Sequence, residues 1–261
     1  MEIRVGQVAV HAVEHGAGRP VLVLHGAGVD HREAEACFEP ALDAVAGLRR
    51  IYPDLPGAGR TPAPASLRSA DGVVDTLLRF ADEATGGTAY LLVGHSAGAY
   101  FVQAMAARRP ERVAGLALVC PLLPGVREVP EHRVVAGSGD IGDEVFRSYF
   151  VIQTPEMLER YRRYVAPAAA LVDEAALRRI GERWALTPEP ESAPAYPGPT
   201  VVVAGRLDST VGHAAAVDLV HHYPHATLAV VDDAGHALPH EQPELLRALL
   251  AEWLTRVERS L

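Results

Sequence analysis

The most chemically suggestive residue of this sequence is a serine set in the pattern G-H-S-A-G, residues 94–98. The pattern follows a continuous apolar run, residues 90–93, and precedes a segment of helical character, residues 97–108. A serine between a buried strand and a helix takes a strained backbone conformation that exposes its hydroxyl at the carboxyl edge of a sheet. The adjoining helix N-terminus favours the negative charge that develops during attack. Ser96 is therefore the candidate nucleophile.

A serine hydroxyl needs a base to remove its proton, and the base needs an acid that fixes its tautomer. The chain contains 12 histidines, so position rather than residue type selects the base. His236 closely follows the last predicted strand, residues 227–231, and Asp208 follows the strand before it, residues 200–204. Catalytic groups of open α/β sheets gather at the carboxyl ends of the strands. The sequence therefore predicts that His236 and Asp208 lie beside Ser96 as base and acid.

An alternation of apolar runs and helical patterns predicts the elements that position these residues. Two short alternating strands are predicted within residues 2–14, and strands buried on both faces at 21–24, 90–93, 113–120, 200–204 and 227–231. Helices are predicted at 69–85, 97–108, 211–222 and 241–256. Strands alternating with helices predict an α/β fold with a doubly wound, mostly parallel sheet.

The alternation is interrupted once, between residues 121 and 199, where the composition turns to Glu, Arg, Pro and aromatic residues. Helices are predicted there at 143–150, 155–164 and 173–184, followed by a Pro-rich return at 187–200 that reads as an extended connector. We predict a core domain of residues 1–120 and 200–261, with a helical lid, residues 121–199, inserted after the sixth strand.

Aromatic residues of the predicted lid are candidates for a substrate pocket, namely Tyr149, Phe150 and Trp184. Aromatic residues at helical spacing equally serve to pack a lid onto its domain. Arg162 and Arg163 are either contacts for an anionic substrate or solvated surface charges.

Length and composition limit the remaining functions. A chain of 261 residues suits one large domain. A formal net charge of -9 disfavours nucleic acid and anionic membrane surfaces as partners, so the expected partner is a small-molecule substrate. The sequence is compatible with a monomer or a homodimer. The two cysteines, Cys37 and Cys120, have no zinc-site spacing and are expected to be buried thiols. We expect neither metal nor organic cofactor. Lacking signal-peptide and transmembrane patterns, the protein is expected in the cytoplasm.

The order Ser96, Asp208, His236 and five local motifs resemble the α/β-hydrolase fold superfamily, in its serine-nucleophile branch. The resemblance covers nearly the whole chain. The motifs are L-H-G-A-G at 24–28, D-L-P-G-A-G-R-T at 54–61, G-H-S-A-G at 94–98, G-R-L-D at 205–208, and G-H at 235–236 with Glu241 and Pro243 beyond.

The resemblance implies that the backbone N–H groups of Ala27 and Ala97 form an oxyanion hole, in which losing one donor typically costs ~3 kcal/mol of barrier. It implies that His25 braces the loop carrying Ala27, and that residues 54–61 form a turn without chemistry. Some relatives of this fold take their acid from the strand before the lid, but residues 120–125, C-P-L-L-P-G, offer no carboxylate.

Two further carboxylates, Asp232 and Asp233, lie within four residues of His236. That separation is too short for the acid position of the resembled fold. We expect both to cap the loop or face solvent, and Asp208 stays the predicted acid.

A serine in the G-x-S-x-G motif argues against haloalkane dehalogenases and epoxide hydrolases, which resemble this chain in fold but carry aspartate there. The expected reaction is cleavage of a carboxylic ester or lactone of a small organic substrate through an acyl-enzyme. The alternatives are a thioesterase or carbon–carbon bond hydrolase of the same fold, and, in a different class, a non-catalytic small-molecule receptor.

Overall fold

The architecture is that of a computed structural model, which describes residues 1–125, 128–137 and 140–260. The strands are β1 (Glu2–Val5), β2 (Val8–Gly16), β3 (Arg19–Leu24), β4 (Leu48–Pro53), β5 (Tyr90–His95), β6 (Val113–Val119), β7 (Ala136–Gly137), β8 (Ile152–Gln153), β9 (Thr200–Gly205) and β10 (Ala226–Val231). The helices are α1 (His31–Leu42), α2 (Ala70–Thr85), α3 (Ala97–Arg108), α4 (Glu144–Tyr149), α5 (Pro155–Arg160), α6 (Ala166–Ala169), α7 (Glu174–Gly181), α8 (Ala214–His222), α9 (Leu238–Glu241) and α10 (Pro243–Arg259). A π-helical turn, Tyr161–Val165, joins α5 to α6.

An eight-stranded sheet in the order β1-β2-β4-β3-β5-β6-β9-β10 forms the centre of the molecule. The β1–β2 and β2–β4 pairs are antiparallel, and the pairs from β4 to β10 are parallel. Strands β5 and β9 are buried along their whole length. Continuous apolar strands of this kind belong to parallel sheets covered on both faces. The structure therefore confirms the predicted α/β fold class.

Helices cover the two faces because side chains alternate along each strand. Leu22 and Leu24 of β3 pack in one apolar core with residues of α2 and α3. Val21 and Val23 of the same strand pack in a second core with residues of α1 and α10. The carboxyl edge between these two layers receives the loops that carry the candidate site.

Helix α1 and strand β4 are additions to the predicted elements. The apolar pattern of β4 is interrupted by arginines, one of which, Arg50, is 6% exposed. Arg50 is tolerated there because its guanidinium lies 2.6 Å from a carboxylate oxygen of Glu39 and 2.7 Å from one of Asp43. Both partners flank the end of α1, so the two unpredicted elements stabilise each other.

The chain leaves the sheet after β6 and returns at β9, and residues 121–199 between them are called the insertion below. Within the insertion, α4, α5 with its π-helical turn, and α7 lie where helices were predicted, although α7 ends earlier, at Gly181. A third apolar cluster, called the apolar cluster of the insertion below, is formed by Phe146, Phe150, Met157, Leu158, Tyr161 and Val165 of the insertion together with Ala237 of the loop after β10.

Across the residues that the structure describes, no helix combines the length and the apolar character that crossing a membrane requires.

Candidate active site

Ser96 occupies a tight turn between β5 and α3, with φ 54° and ψ −118°. This backbone conformation is rare for a residue with a side chain, and it costs of order 1–3 kcal/mol. Close packing explains the glycines on either side. A Cβ at Gly94 would lie 2.6 Å from Cα of Ala99, and a Cβ at Gly98 would lie 2.3 Å from the carbonyl oxygen of Leu24. The helix can therefore approach the sheet closely enough to hold the strained serine.

Two consecutive hydrogen bonds join Ser96, His236 and Asp208. His236 lies in the loop between β10 and α9, and its Nε2 is 2.9 Å from Oγ of Ser96. Its Nδ1 is 2.7 Å from Oδ2 of Asp208, which follows β9. With Asp208 ionised, Nδ1–H donates to the carboxylate and Nε2 accepts the serine hydroxyl proton. The arrangement can transfer that proton to the imidazole as the serine oxygen attacks an electrophile.

Asp208 is fully buried and is held from both of its oxygens. Its Oδ1 accepts hydrogen bonds from the backbone N–H groups of Thr210 and Val211, each at 2.9 Å. Burial alone would raise the pKa of Asp208, but the charge and hydrogen bond of His236 and the two backbone donors outweigh burial and lower it. The carboxylate is therefore ionised while it orients the imidazole.

The two residues whose amides are expected to form an oxyanion hole lie near Ser96, since Ala97 follows it directly and Ala27 lines the same cavity as Ser96 and His236. Ala97 is the first residue of α3, so its N–H is among those with no partner inside the helix. Ala27 lies in the loop after β3. His25 braces that loop, because its Nδ1–H donates to the carbonyl of Gly26 at 2.7 Å and its Nε2 accepts the N–H of Leu55 at 2.9 Å. Burial lowers the pKa of His25, which keeps the ring in the neutral form that both bonds need.

Two cavities flank the loop that carries Ala27. The larger cavity has a volume of about 790 Å³ and opens onto Ser96 and His236. Its wall combines residues of the sheet-edge loops with residues of the insertion: Gly26, Ala27, Gly28, Val29, His95, Ser96, Val129, Pro130, Glu131, His132, Val145, Ser148, Tyr149, Val165, Ala169, Ser209, Thr210 and His236. The smaller, about 250 Å³, shares residues 26–28 with it and is mainly apolar. A small organic molecule placed in the larger cavity can reach Oγ of Ser96.

The three aromatic residues predicted for the pocket occupy different places. Tyr149 lines the larger cavity, with its ring centroid 5.9 Å from that of His236. Trp184 lines the smaller cavity. Phe150 lines neither cavity, so the prediction that it belongs to the pocket is corrected. It follows Tyr149 directly in the chain, but its side chain points in a different direction and is fully buried in the apolar cluster of the insertion.

The structure also gives the positions of four charged residues whose roles the sequence left undecided. Arg162 and Arg163 are exposed and line neither cavity. Asp232 lies 3.4 Å from Nε of Arg206 and is exposed, as is Asp233. Asp208, and neither of these two, hydrogen-bonds His236.

Sequence reasoning missed the contribution of His95, although it lies inside the G-H-S-A-G pattern. Its Nε2–H donates to the backbone carbonyl of His236 at 3.1 Å. Burial is the main cause that lowers the pKa of His95 to about 4, so the ring is neutral at neutral pH. A neutral imidazole in this position braces the loop of His236 without placing a second positive charge beside it.

Metal-ligating atoms approach within 4.8 Å of one another at three places among the described residues: His95 with Cys120 and His236, His11 with His31 and Asp54, and Glu33 with Cys37 and His240. Spacing along the sequence could not indicate them, because each joins distant segments. In the third group, Cys37 and His240 each lie within hydrogen-bonding distance of Oε1 of Glu33, at 3.4 and 3.2 Å. Hydrogen bonding thus accounts for that cluster.

Comparison with known families identifies the class of protein. The model of the Alpha/beta hydrolase family matches residues 21–249. The chain belongs to this family, as its sequence motifs and sheet order indicated.

Three similar proteins have identities to this chain of 25% or less. 2-Hydroxymuconate semialdehyde hydrolase of Pseudomonas sp. (strain CF600) is 25% identical over 98% of this chain and 94% of its own. An alpha/beta superfamily hydrolase from Oenococcus oeni PSU-1 matches in structure with a TM-score of 0.89, at 24% identity over 99% of both chains. A thermophilic esterase from Thermogutta terrifontis matches with a TM-score of 0.70, at 22% identity over 98% of both chains. These structural likenesses establish the fold.

Proposed function

We propose that the protein is a serine hydrolase that cleaves an ester-type bond, a carboxylic ester or a lactone, of a small organic substrate. The observation that carries the proposal is the pair of hydrogen bonds, 2.9 Å from Ser96 to His236 and 2.7 Å from His236 to Asp208, beside a cavity of about 790 Å³. The proposal assigns the roles of nucleophile, base and orienting acid to these three residues, which lie in one place next to space for a substrate.

In the proposed first half-reaction, Oγ of Ser96 attacks the substrate carbonyl carbon while Nε2 of His236 takes the hydroxyl proton. Asp208 stabilises the resulting imidazolium. The carbonyl oxygen becomes an oxyanion that accepts hydrogen bonds from the N–H groups of Ala27 and Ala97. When the carbonyl re-forms, the alcohol leaves with the proton from His236, and the acyl group stays on Ser96.

In the second half-reaction, His236 removes a proton from water, which attacks the acyl-enzyme. The oxyanion formed in this step accepts hydrogen bonds from the same two amide N–H groups. Collapse releases the carboxylic acid and returns the proton to Ser96. A lactone follows the same steps, except that the alcohol stays attached to the acyl chain until water releases the opened product.

The insertion, residues 121–199, is proposed as a lid over a core domain of residues 1–120 and 200–261. The proposal is supported by three residues of α4, Val145, Ser148 and Tyr149, which line the larger cavity together with Ala27 and Ser96. Because the insertion forms part of the cavity wall, we propose that the lid contributes to substrate selectivity.

The same machinery serves a thioesterase or a carbon–carbon bond hydrolase, and a binding protein can retain it. The discriminating experiment is a turnover panel of p-nitrophenyl acetate and butyrate, a lactone, an acyl thioester and a vinylogous diketone, with the Ser96→Ala protein as blank. Ester or lactone hydrolysis well above the others supports the proposal. Preference for the thioester or the diketone would replace it with that activity, and tight binding of the panel without turnover would indicate a receptor.

A further inference from the structure

Glu241 is a buried carboxylate at the end of α9, five residues after His236, and the mechanism above does not use it. Its side chain accepts three backbone hydrogen bonds. Oε2 accepts the N–H of Gly235 at 2.7 Å, and Oε1 accepts the N–H groups of Val151 at 2.6 Å and Ile152 at 3.2 Å. We call these three bonds the Glu241 bridge.

The Glu241 bridge joins two parts of the chain that are far apart in sequence. Gly235 immediately precedes His236 in the loop after β10, whereas Val151 and Ile152 lie in the insertion at the start of β8. The two segments also touch directly, because a Cβ at Gly235 would lie 2.8 Å from Cγ1 of Val151. One carboxylate therefore holds the histidine loop against the insertion.

The segment held by the bridge also forms part of the cavity wall. Tyr149, two residues before Val151, lines the larger cavity and contacts the ring of His236 edge-on, with 5.9 Å between ring centroids. On the other side of His236, Ala237 packs in the apolar cluster of the insertion. The backbone on both sides of the histidine thus rests on the insertion.

We propose that Glu241 is a positioning residue that couples the insertion to His236, so that the seating of the insertion and the placement of the imidazole depend on each other. The proposal rests on the proposed function for its kinetic consequence, because it assigns His236 the role of base. A misplacement of reacting groups by about 1 Å can cost about 10²-fold in rate. Releasing the bridge is therefore expected to lower kcat.

Two substitutions separate this role from simple packing. Glu241→Gln keeps the volume of the side chain, but one of its two ends becomes an NH₂ group that faces N–H donors. Glu241→Ala removes both acceptor oxygens and leaves the three backbone N–H groups of Gly235, Val151 and Ile152 without this partner, which is unfavourable for buried donors. Glu244→Gln is the matched control, since Glu244 lies three residues further on with an exposed side chain that pairs with Arg247.

The first readout is backbone amide exchange measured by mass spectrometry, in peptides covering residues 146–153 and 233–238. In Glu241→Ala, exchange is expected to be at least tenfold faster in both peptides, with Glu244→Gln unchanged. Should Glu241→Ala fail to fold, Glu241→Gln is expected to accelerate exchange in one of the two peptides. Unchanged exchange in the folded variants, or acceleration confined to the insertion in Glu241→Ala, would overturn the coupling.

The second readout is kcat on p-nitrophenyl butyrate, counted per active site by titration with a serine-directed phosphonate so that unfolded protein is excluded. In Glu241→Gln, kcat per labelled site is expected to fall about 10- to 100-fold. A value within twofold of the native enzyme would overturn the positioning role. If the native protein shows no hydrolysis, the proposed function fails, while amide exchange still decides whether the Glu241 bridge couples the two segments.

Discussion

Replacement of Asp208 by asparagine is expected to disable the base without disturbing the fold, because of how the two carboxylate oxygens are used. Oδ1 accepts two backbone N–H groups, those of Thr210 and Val211, both at 2.9 Å. An NH₂ group cannot replace an acceptor there, so the amide oxygen of the introduced asparagine stays on these donors. Its NH₂ then faces Nδ1 of His236 and donates to it. The ring must carry its proton on Nε2, where it blocks acceptance of the Ser96 proton.

The size of the effect follows from that change of tautomer. The corresponding Asp→Asn substitution in a serine protease lowers turnover about 10⁴-fold. A factor of 10⁴ corresponds to about 5 kcal/mol of barrier. We expect a loss of that order in kcat for Asp208→Asn, measured on p-nitrophenyl butyrate, with KM changed by less than about threefold because Asp208 lies behind the histidine rather than in the cavity.

Asp232→Asn and Asp233→Asn are the matched controls, since both residues are exposed and near the histidine in sequence. Their kcat values are expected to stay within about threefold of the native enzyme. Asp208→Asn with kcat within tenfold of native, or a collapse of activity in either control, would refute the assignment of the acid.

Further predictions concern cofactors, acid stability and packing. Dialysis against a chelator is expected to leave hydrolysis unchanged, because the proposed mechanism draws all its groups from the chain; activity restored only by added metal would contradict this. Burial alone would raise the pKa of Glu33, but the hydrogen bond to His240 and other favourable contacts lower it to about 2. A depressed pKa contributes stability that is full above the ordinary value of 4.5 and is lost as pH falls toward 2, an effect of about 3 kcal/mol. In Glu33→Gln, the free energy of unfolding measured with urea should fall less steeply than in the native protein as the pH is lowered toward 2. An equally steep fall in the variant would argue against this role of Glu33. Gly98→Ala places a methyl 2.3 Å from the carbonyl oxygen of Leu24 and is expected to cost about 1–3 kcal/mol or more, whereas Gly181→Ala, with open space around it, should be neutral; thermal unfolding midpoints that rank the two the other way would contradict the packing argument.

The elements around the candidate triad could be predicted because each residue comes soon after an apolar strand. Ser96 directly follows β5, Asp208 comes three residues after β9, and His236 comes five residues after β10. Strands β5 and β9 are buried as predicted, whereas β10 is only partly buried. A continuous apolar run marks such a strand, and the parallel topology brings the strand ends to one edge. Ser96, Asp208 and His236 could thus be placed together although 140 residues separate the first from the last. The acid was the difficult choice, and position relative to β9 favoured Asp208 over Asp232 and Asp233.

Contacts made across the fold could not be predicted in this way. Glu33 and His240 are 207 residues apart and meet only because α1 packs beside α9. The difference between Tyr149 and Phe150 is equally hidden, since adjacent aromatic residues at the end of a short helix point in different directions. Strand β4 contains a buried arginine, Arg50, whose carboxylate partners lie on another element. Because this arginine interrupts the apolar pattern, the strand could not be predicted from the sequence.

The most direct test of the central claim, that Ser96 is the nucleophile, is mass spectrometry after treatment with a serine-directed organophosphonate. The native protein is expected to gain one phosphonyl group, mapped to the peptide containing residues 94–98, and to lose its ester hydrolysis in proportion. Ser96→Ala, with its fold verified by circular dichroism, should gain none and should not hydrolyse p-nitrophenyl butyrate. Labelling at another residue, or full hydrolysis by Ser96→Ala, would contradict the account.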